Sequence, residues 1–193
     1  MRINPCKFSN YISFSKEPVS ACVLINKDKG TKSDATLYKA DVKSDSDKFD
    51  IKRSKTASCL YSDFMRERRR NEPCSDFFIL QDDKTNEVIC AAETSRHYRP
   101  LEGKKEGFAT IIDEIRENNK YENAAEPMLE YIVREAYKRG DTNVFTAFQS
   151  EDLPSLKRER FTETNNGEWY MPRARFFDFI DIAEKRSHID YFE

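Results

Sequence analysis

The sequence has few of the residues that build disulfide frameworks or metal sites. Its five cysteines are odd in number, widely spaced and contain no C-x-x-C pair, which favours reduced thiols in a reducing compartment. Only two histidines occur, His97 and His188, and neither belongs to an H-E-x-x-H motif or a Cys/His cluster. Metal catalysis is therefore not expected.

Long hydrophobic runs are also missing. No stretch approaches the roughly 20 apolar residues that a membrane-spanning helix needs. The first 20 residues lack the basic-then-apolar pattern of a secretory signal. We therefore expect a cytoplasmic protein without a membrane partner, while export by a route that needs no such signal stays open.

No charge of one sign dominates, because 33 basic residues are matched by 35 acidic ones for a net charge of −2. This balance gives no global attraction to nucleic acid. A local basic run, Arg66, Arg68, Arg69 and Arg70, closes an amphipathic helix predicted over 57–70, where cations complement the helix dipole. We interpret it as a solvated face, and a nucleic-acid-binding role is the less favoured alternative.

What the sequence does contain is enough apolar volume for one folded domain. Its 193 residues include 14 Phe and 9 Tyr, which supply large side chains for a core. We predict a loosely held N-terminal segment over 1–20 and a single α/β (α+β) domain over 21–193. No G-x-S-x-G elbow or P-loop occurs, which disfavours a serine hydrolase or a nucleoside triphosphatase.

Strands and helices are predicted from apolar periodicity and turn residues. The predicted strands lie within 21–25, 36–42, 77–80, 87–91, 108–115 and 144–148. The predicted helices, besides 57–70, cover 123–139 and 151–160. A loop is expected over 96–106. Over 175–182, periodicity does not decide between strand and helix. The strand over 144–148 is apolar on both faces, as in a buried parallel strand, so 108–148 is predicted to form a βαβ unit.

Taken in order, these elements resemble the Gcn5-related N-acetyltransferase (GNAT) superfamily: a hairpin, a strand, a loop that opens a helix, a parallel strand and a short helix ending in Phe. The resemblance covers roughly residues 36–171 and rests mainly on element order. It implies a mixed, mostly antiparallel twisted sheet flanked by helices, with acetyl-CoA as cosubstrate.

The best local match is Lys120–Leu129, which is similar to the family's Arg/Gln-x-x-Gly-x-Gly/Ala loop after the fourth strand. In the family this loop holds the acetyl-CoA pyrophosphate, so the resemblance implies cofactor contacts from the Ile115 backbone and from seven loop residues. These are Lys120, Tyr121, Glu122, Asn123, Ala124, Ala125 and Glu126. Lys120 takes the cationic first position, Ala125 takes the last small position, and Asn123 replaces a glycine but adopts positive φ more readily than most residues.

Three residues depart from the family's loop. Glu122 and Glu126 bring negative charge to the place of the pyrophosphate, and Pro127 removes one N–H near the helix start. The same residues fit plain helix capping, either as an Asn123-x-x-Glu126 capping box or with Glu126 before Pro127 at the first helical position. A retained cofactor loop and a capped helix therefore both stay open.

A base is needed for acetyl transfer, because a protonated amine cannot attack a thioester. Asp113 and Glu114 lie near the end of the strand predicted over 108–115. Alternation places their side chains on opposite faces, and we prefer Glu114 as the base. The family's tyrosine acid has Leu156 at its position here, and the adjacent Ser155 is a poor acid.

The resemblance therefore predicts an acetyl-CoA-dependent N-acyltransferase that transfers the acyl group directly to an amine. The acceptor would be a small amine or a protein lysine. The alternative hypothesis is a non-catalytic GNAT-like binding or regulatory module, which the missing tyrosine and glycines favour.

Overall fold

A computed structural model of the chain describes residues 17–40, 76–99, 107–146, 161–164 and 168–192. The helices predicted over 57–70 and 151–160, including Ser155 and Leu156, lie outside the described residues. Within the described part, no helix is long and apolar enough to cross a membrane.

In the described residues, nine strands form one mixed sheet in the order β7-β8-β6-β5-β4-β3-β2-β1-β9. The strands are β1 (Glu17–Asn26), β2 (Thr31–Lys39), β3 (Asp76–Asp82), β4 (Val88–Arg99), β5 (Gly107–Glu117), β6 (Asn143–Thr146), β7 (Thr162–Glu163), β8 (Trp169–Pro172) and β9 (Asp190–Tyr191). All neighbours pair antiparallel except β5 and β6, which pair parallel. The predicted β3–β4 hairpin and the parallel pair are thus confirmed.

Helix α1 (Glu126–Lys138) connects the two parallel strands, as a parallel pair requires. Its apolar stripe is buried against the sheet and consists of Met128, Leu129, Ile132, Val133 and Ala136. Two residues after the helix, Gly140 has a φ of 79°, and glycine adopts this left-handed conformation without a side-chain clash. The predicted βαβ unit is therefore present.

Helix α2 (Phe176–Ser187) follows a 3₁₀ turn over Arg173–Arg175 and packs against α1 and β1. Phe176, Phe179 and Ala183 are buried, whereas Phe177 is 67% exposed. This exposed aromatic next to the apolar stripe is the reason that periodicity alone does not decide between strand and helix for this segment.

Three predicted boundaries are wrong. Strand β1 begins at Glu17, so residues 17–20 belong to the sheet, where Ser20 pairs with Tyr191 of β9. Strand β4 continues to Arg99 because its residues 96–99 pair with β5, although a loop is predicted there. Helix α1 begins at Glu126, three residues after the predicted start at Asn123.

Candidate functional site

Strand β5 carries a β-bulge close to its C-terminal end. Glu114 lies opposite Glu93 of β4, and Ile112 lies opposite Thr94, so Asp113 is an extra residue in β5. An extra residue inverts the alternation of side chains beyond it. Consistent with this inversion, Ile112 and Ile115 both contribute to the hydrophobic core although they are three residues apart.

The bulge brings the two candidate carboxylates to the same face of the sheet. Asp113 accepts a hydrogen bond at Oδ1 from the Ser95 hydroxyl at 3.0 Å, and Glu114 lies opposite Glu93. The prediction that Asp113 and Glu114 lie on opposite faces is wrong, because it assumed a regular strand. Both side chains are therefore candidates for the same chemistry.

The Glu114 carboxylate is held by a neighbouring cation. Arg116 donates from Nε to Oε1 of Glu114 at 2.6 Å, and its Nη2 lies 2.5 Å from the same oxygen. Both side chains are partly exposed. This ion pair fixes one carboxylate oxygen and draws the side chain along its own strand.

In the described residues, β5 pairs parallel with β6 on the N-terminal side of the bulge. This parallel pairing runs from Ala109 opposite Asn143 to Ile112 opposite Thr146. Thr146 is the last described residue of that segment, whereas β5 continues to Glu117. Ile115 lies in this extension, with its side chain buried in the core.

The loop over 118–125 is anchored to the ends of two strands, β4 and β1, which are separated in the sheet by β3 and β2. Its first residue, Asn118, donates its N–H to the Ile89 carbonyl of β4 at 2.7 Å. Further on, Glu122 donates to the Ile25 carbonyl of β1 at 2.9 Å, and Tyr121 forms an antiparallel bridge with Asn26. The loop is thus part of the sheet's hydrogen-bonding scheme.

Two of the residues predicted to bind the cofactor, Tyr121 and Lys120, have side chains that contact other residues of the protein. The Tyr121 side chain is buried, and its hydroxyl donates to Asp82 Oδ2 at 3.4 Å. Burial, together with the charges of Asp82 and Glu87, raises the pKa of Tyr121. Lys120 places its ammonium 3.3 Å from Glu87 Oε1, so the predicted cation already faces a carboxylate.

The end of the loop has the backbone geometry that its sequence allows. Asn123 has a φ of 49°, so it adopts the left-handed conformation predicted for it in place of glycine. Ala124 and Ala125 are fully buried, which leaves no room for larger side chains. Glu122 is exposed.

Glu126 is the first residue of α1 and precedes Pro127 in the first turn. Its carboxylate is buried and lies 3.1 Å from Arg186 of α2. The N-cap residue is Ala125, and it makes no side-chain capping bond. The predicted Asn123-x-x-Glu126 capping box is wrong, because the N-cap is Ala125 and not Asn123; the alternative, with Glu126 before Pro127 at the helix start, agrees with the structure.

The anion at the start of α1 comes from a residue that the sequence analysis does not single out. Glu117, the last residue of β5, accepts a hydrogen bond at Oε2 from the Ala125 N–H at 3.1 Å. Other loop amides also bond to protein oxygens: Lys120 N–H to Asn118 Oδ1, Tyr121 N–H to the Asn118 carbonyl, and Glu126 N–H to the Asn123 carbonyl. Nothing in the linear pattern marks Glu117, because its partner is eight residues away around the loop.

A second buried carboxylate, Asp141, lies near the start of β6. Its Oδ1 accepts from Arg96 Nε at 2.8 Å, and its Oδ2 accepts from the Thr110 hydroxyl at 2.6 Å. These contacts join β4, β5 and the turn after α1. Asp141 is fully satisfied in this network, so we assign it a structural role at the opposite end of β5 from the bulge.

Several solved structures are similar to this chain. The KacTA–DNA complex aligns with a TM-score of 0.56 and 12% identity, over 77% of this chain and 99% of the other. A variant of the toxin AtaT bound to the C-terminus of the antitoxin AtaR aligns at 0.55 and 10%, over 74% and 94%. AtaTR bound with acetyl-CoA aligns at 0.54 and 11%, over 74% and 96%.

No protein-family model and no curated protein matches the sequence. At identities of 10–12%, the structural matches inform the fold alone. The chain therefore has a GNAT-like fold, a mixed and mostly antiparallel nine-stranded sheet with helices packed on it.

Proposed function

We propose that this chain is an N-acyltransferase that takes its acyl group from acetyl-CoA and passes it directly to an amine. The observation that carries the proposal is that one strand, β5, combines a bulge at Asp113, with Asp113 and Glu114 on one face, and a short loop to the start of a helix. AtaTR, which has the same fold, is solved with acetyl-CoA bound.

The backbone amides at the start of α1 can bind an anionic cofactor. The start of α1 already holds an anion, because the Glu117 carboxylate accepts the Ala125 N–H, and backbone amides at a helix start favour negative charge. In our proposal the loop from Lys120 to Glu126 holds the pyrophosphate, and the backbone near Ile115 aligns the rest of the cofactor along β5.

When bound, acetyl-CoA supplies a thioester as the acyl donor. We propose that Glu114 accepts the proton from the attacking amine, directly or through a water. Arg116 holds Oε1 of that carboxylate, which orients the side chain at the bulge. Asp113 shares the same face of the sheet and is the alternative base.

The acceptor in this proposal is a small amine or a protein lysine. Three carboxylates, those of Glu93, Asp113 and Glu114, lie around the bulge, and this charge favours an acceptor that arrives as a cation.

A non-catalytic GNAT-like binding or regulatory module is the second candidate. The observation that favours it is that the loop amides of Lys120, Tyr121, Glu122, Ala125 and Glu126 all bond to protein oxygens. A helix start that is satisfied in this way is stable without a cofactor.

Binding of acetyl-CoA separates the two candidates. With acetyl-CoA at about ten times its Kd, we expect the free energy of unfolding to rise by about 1.4 kcal/mol and the Tm by roughly 3–6 °C. Differential scanning calorimetry measures the shift, with acetate and adenosine as controls that lack the pyrophosphate. An unchanged Tm at millimolar acetyl-CoA would contradict the acyltransferase and favour the module.

The assignment of Glu114 is tested by a matched pair of variants. Glu114→Gln is expected to lower kcat by about 100-fold or more at neutral pH, with acetyl-CoA affinity nearly unchanged. The defect should shrink at high pH, where the amine loses its proton unaided. Asp113→Asn serves as the control, since it removes a carboxylate from the same face, and a larger loss in Asp113→Asn than in Glu114→Gln would exchange their roles.

A further inference from the structure

Glu117 occupies the position at the start of α1 that an incoming phosphate would need. It lies at the C-terminal end of β5, and its side chain points back to the loop, where Oε2 accepts the Ala125 N–H at 3.1 Å. A carboxylate on a helix-start amide makes a charge-assisted hydrogen bond. The chain therefore provides its own anion at the place where the proposed function requires a cofactor anion.

The geometry that holds Glu117 there is built into the fold. The bulge at Asp113 inverts the alternation of β5, so Glu117 lies on the same face as Ile115, which is buried in the core beneath α1. Without the extra residue, Glu117 would lie on the face opposite to the buried Ile112. The one extra residue at the bulge thus aims the Glu117 carboxylate at the helix.

In the described part of the chain, no Lys or Arg side chain forms an ion pair with the Glu117 carboxylate. Lys120 of the same loop lies against Glu87, and Arg186 lies against Glu126. The negative charge of Glu117 therefore remains at the helix start, where it opposes a second anion.

We infer that Glu117 is an intramolecular competitor that sets the affinity of this site for the cofactor pyrophosphate. The inference rests on the proposed function. The Ala125 amide can donate to a phosphate oxygen only after its hydrogen bond to the Glu117 carboxylate breaks. The displaced carboxylate stays nearby, and its negative charge repels the phosphate. We therefore expect the site to bind CoA weakly, because of Glu117 and not because the binding loop is lost.

The test compares three proteins by calorimetric titration with CoA: the wild type, Glu117→Gln and Asp28→Asn. Glutamine can still accept the Ala125 N–H but carries no charge, so Glu117→Gln is expected to bind CoA roughly 2- to 5-fold more tightly. The gain should shrink in high salt. Asp28→Asn removes the same charge from an exposed residue of the turn between β1 and β2, outside the proposed binding loop, so it should stay within 2-fold of the wild type.

Equal tightening in both variants would overturn the inference, because the effect would then come from net charge alone. Unchanged or weaker binding in Glu117→Gln, with the same unfolding midpoint as the wild type, would overturn it as well.

Failure of the proposed function gives a different pattern. If none of the three proteins binds CoA, the same proteins are titrated with inorganic pyrophosphate while the Ala125 amide is followed by ¹⁵N–¹H NMR. A shift of this amide at lower pyrophosphate concentration in Glu117→Gln than in the wild type supports the competitor role by itself. An Ala125 amide that pyrophosphate moves in neither protein would overturn it.

Discussion

Replacing Leu129 with alanine is expected to lower the free energy of unfolding by about 2–5 kcal/mol. Leu129 is fully buried on the inner face of α1 and belongs to the same core cluster as Ile112 and Ile115 of β5. The shorter side chain leaves a cavity in the core, because close-packed neighbours refill it only in part. Denaturant melts followed by circular dichroism measure the loss.

Ile25→Ala is the matched control, since it removes the same number of carbon atoms from a side chain that is 43% exposed. We expect it to cost less than about 1 kcal/mol. Equal losses in the two variants would contradict the placement of α1 in the core. A Leu129→Ala change below about 0.5 kcal/mol would do the same.

The second large effect is a dependence of stability on pH that comes from Glu130. This carboxylate is fully buried between α1, α2 and β9. It accepts from Arg134 Nε at 3.1 Å and from the Tyr191 hydroxyl. Arg134 in turn contacts Glu184 of α2 and lies 3.8 Å above the Tyr191 ring.

Burial raises the pKa of Glu130 from 4.5 to about 7, against the opposing effect of Arg134 and Lys138 and with a further increase from Glu184. The unfolded chain therefore releases this proton near pH 4.5, whereas the folded chain keeps it until about pH 7. Where the folded state binds more protons, stability falls as the pH rises. We expect the wild type to lose roughly 2 kcal/mol between pH 5 and pH 8 from this group.

Glu130→Gln should remove that part of the pH dependence, because the amide resembles the protonated acid and does not titrate. Melts of both proteins at half-unit steps between pH 5 and pH 8 provide the comparison, and Glu184→Gln reports the contribution of the exposed partner. If the stability of both proteins changed with pH in the same way, Glu130 would have the same pKa in the folded and unfolded chains. This result would contradict the prediction.

Local sequence patterns determined much of the central fold. The β3–β4 hairpin follows from two apolar runs around a polar five-residue connection. The core face of α1 follows from the spacing of Leu129, Ile132, Val133 and Ala136, which is a property of the helix itself. The parallel β6 follows from a strand that is apolar on both faces. Each of these features depends on residues close together in the chain.

The partners of the site carboxylates were decided only by the tertiary structure. Asp113 and Glu114 share a face because of one extra residue in β5, which shows only in the register with β4. Glu126 turns away from its expected capping role because α2 brings Arg186 beside it. Where a side chain has both local and distant possible partners, packing between elements far apart in sequence determines which partner it contacts. A linear pattern carries no information on that packing.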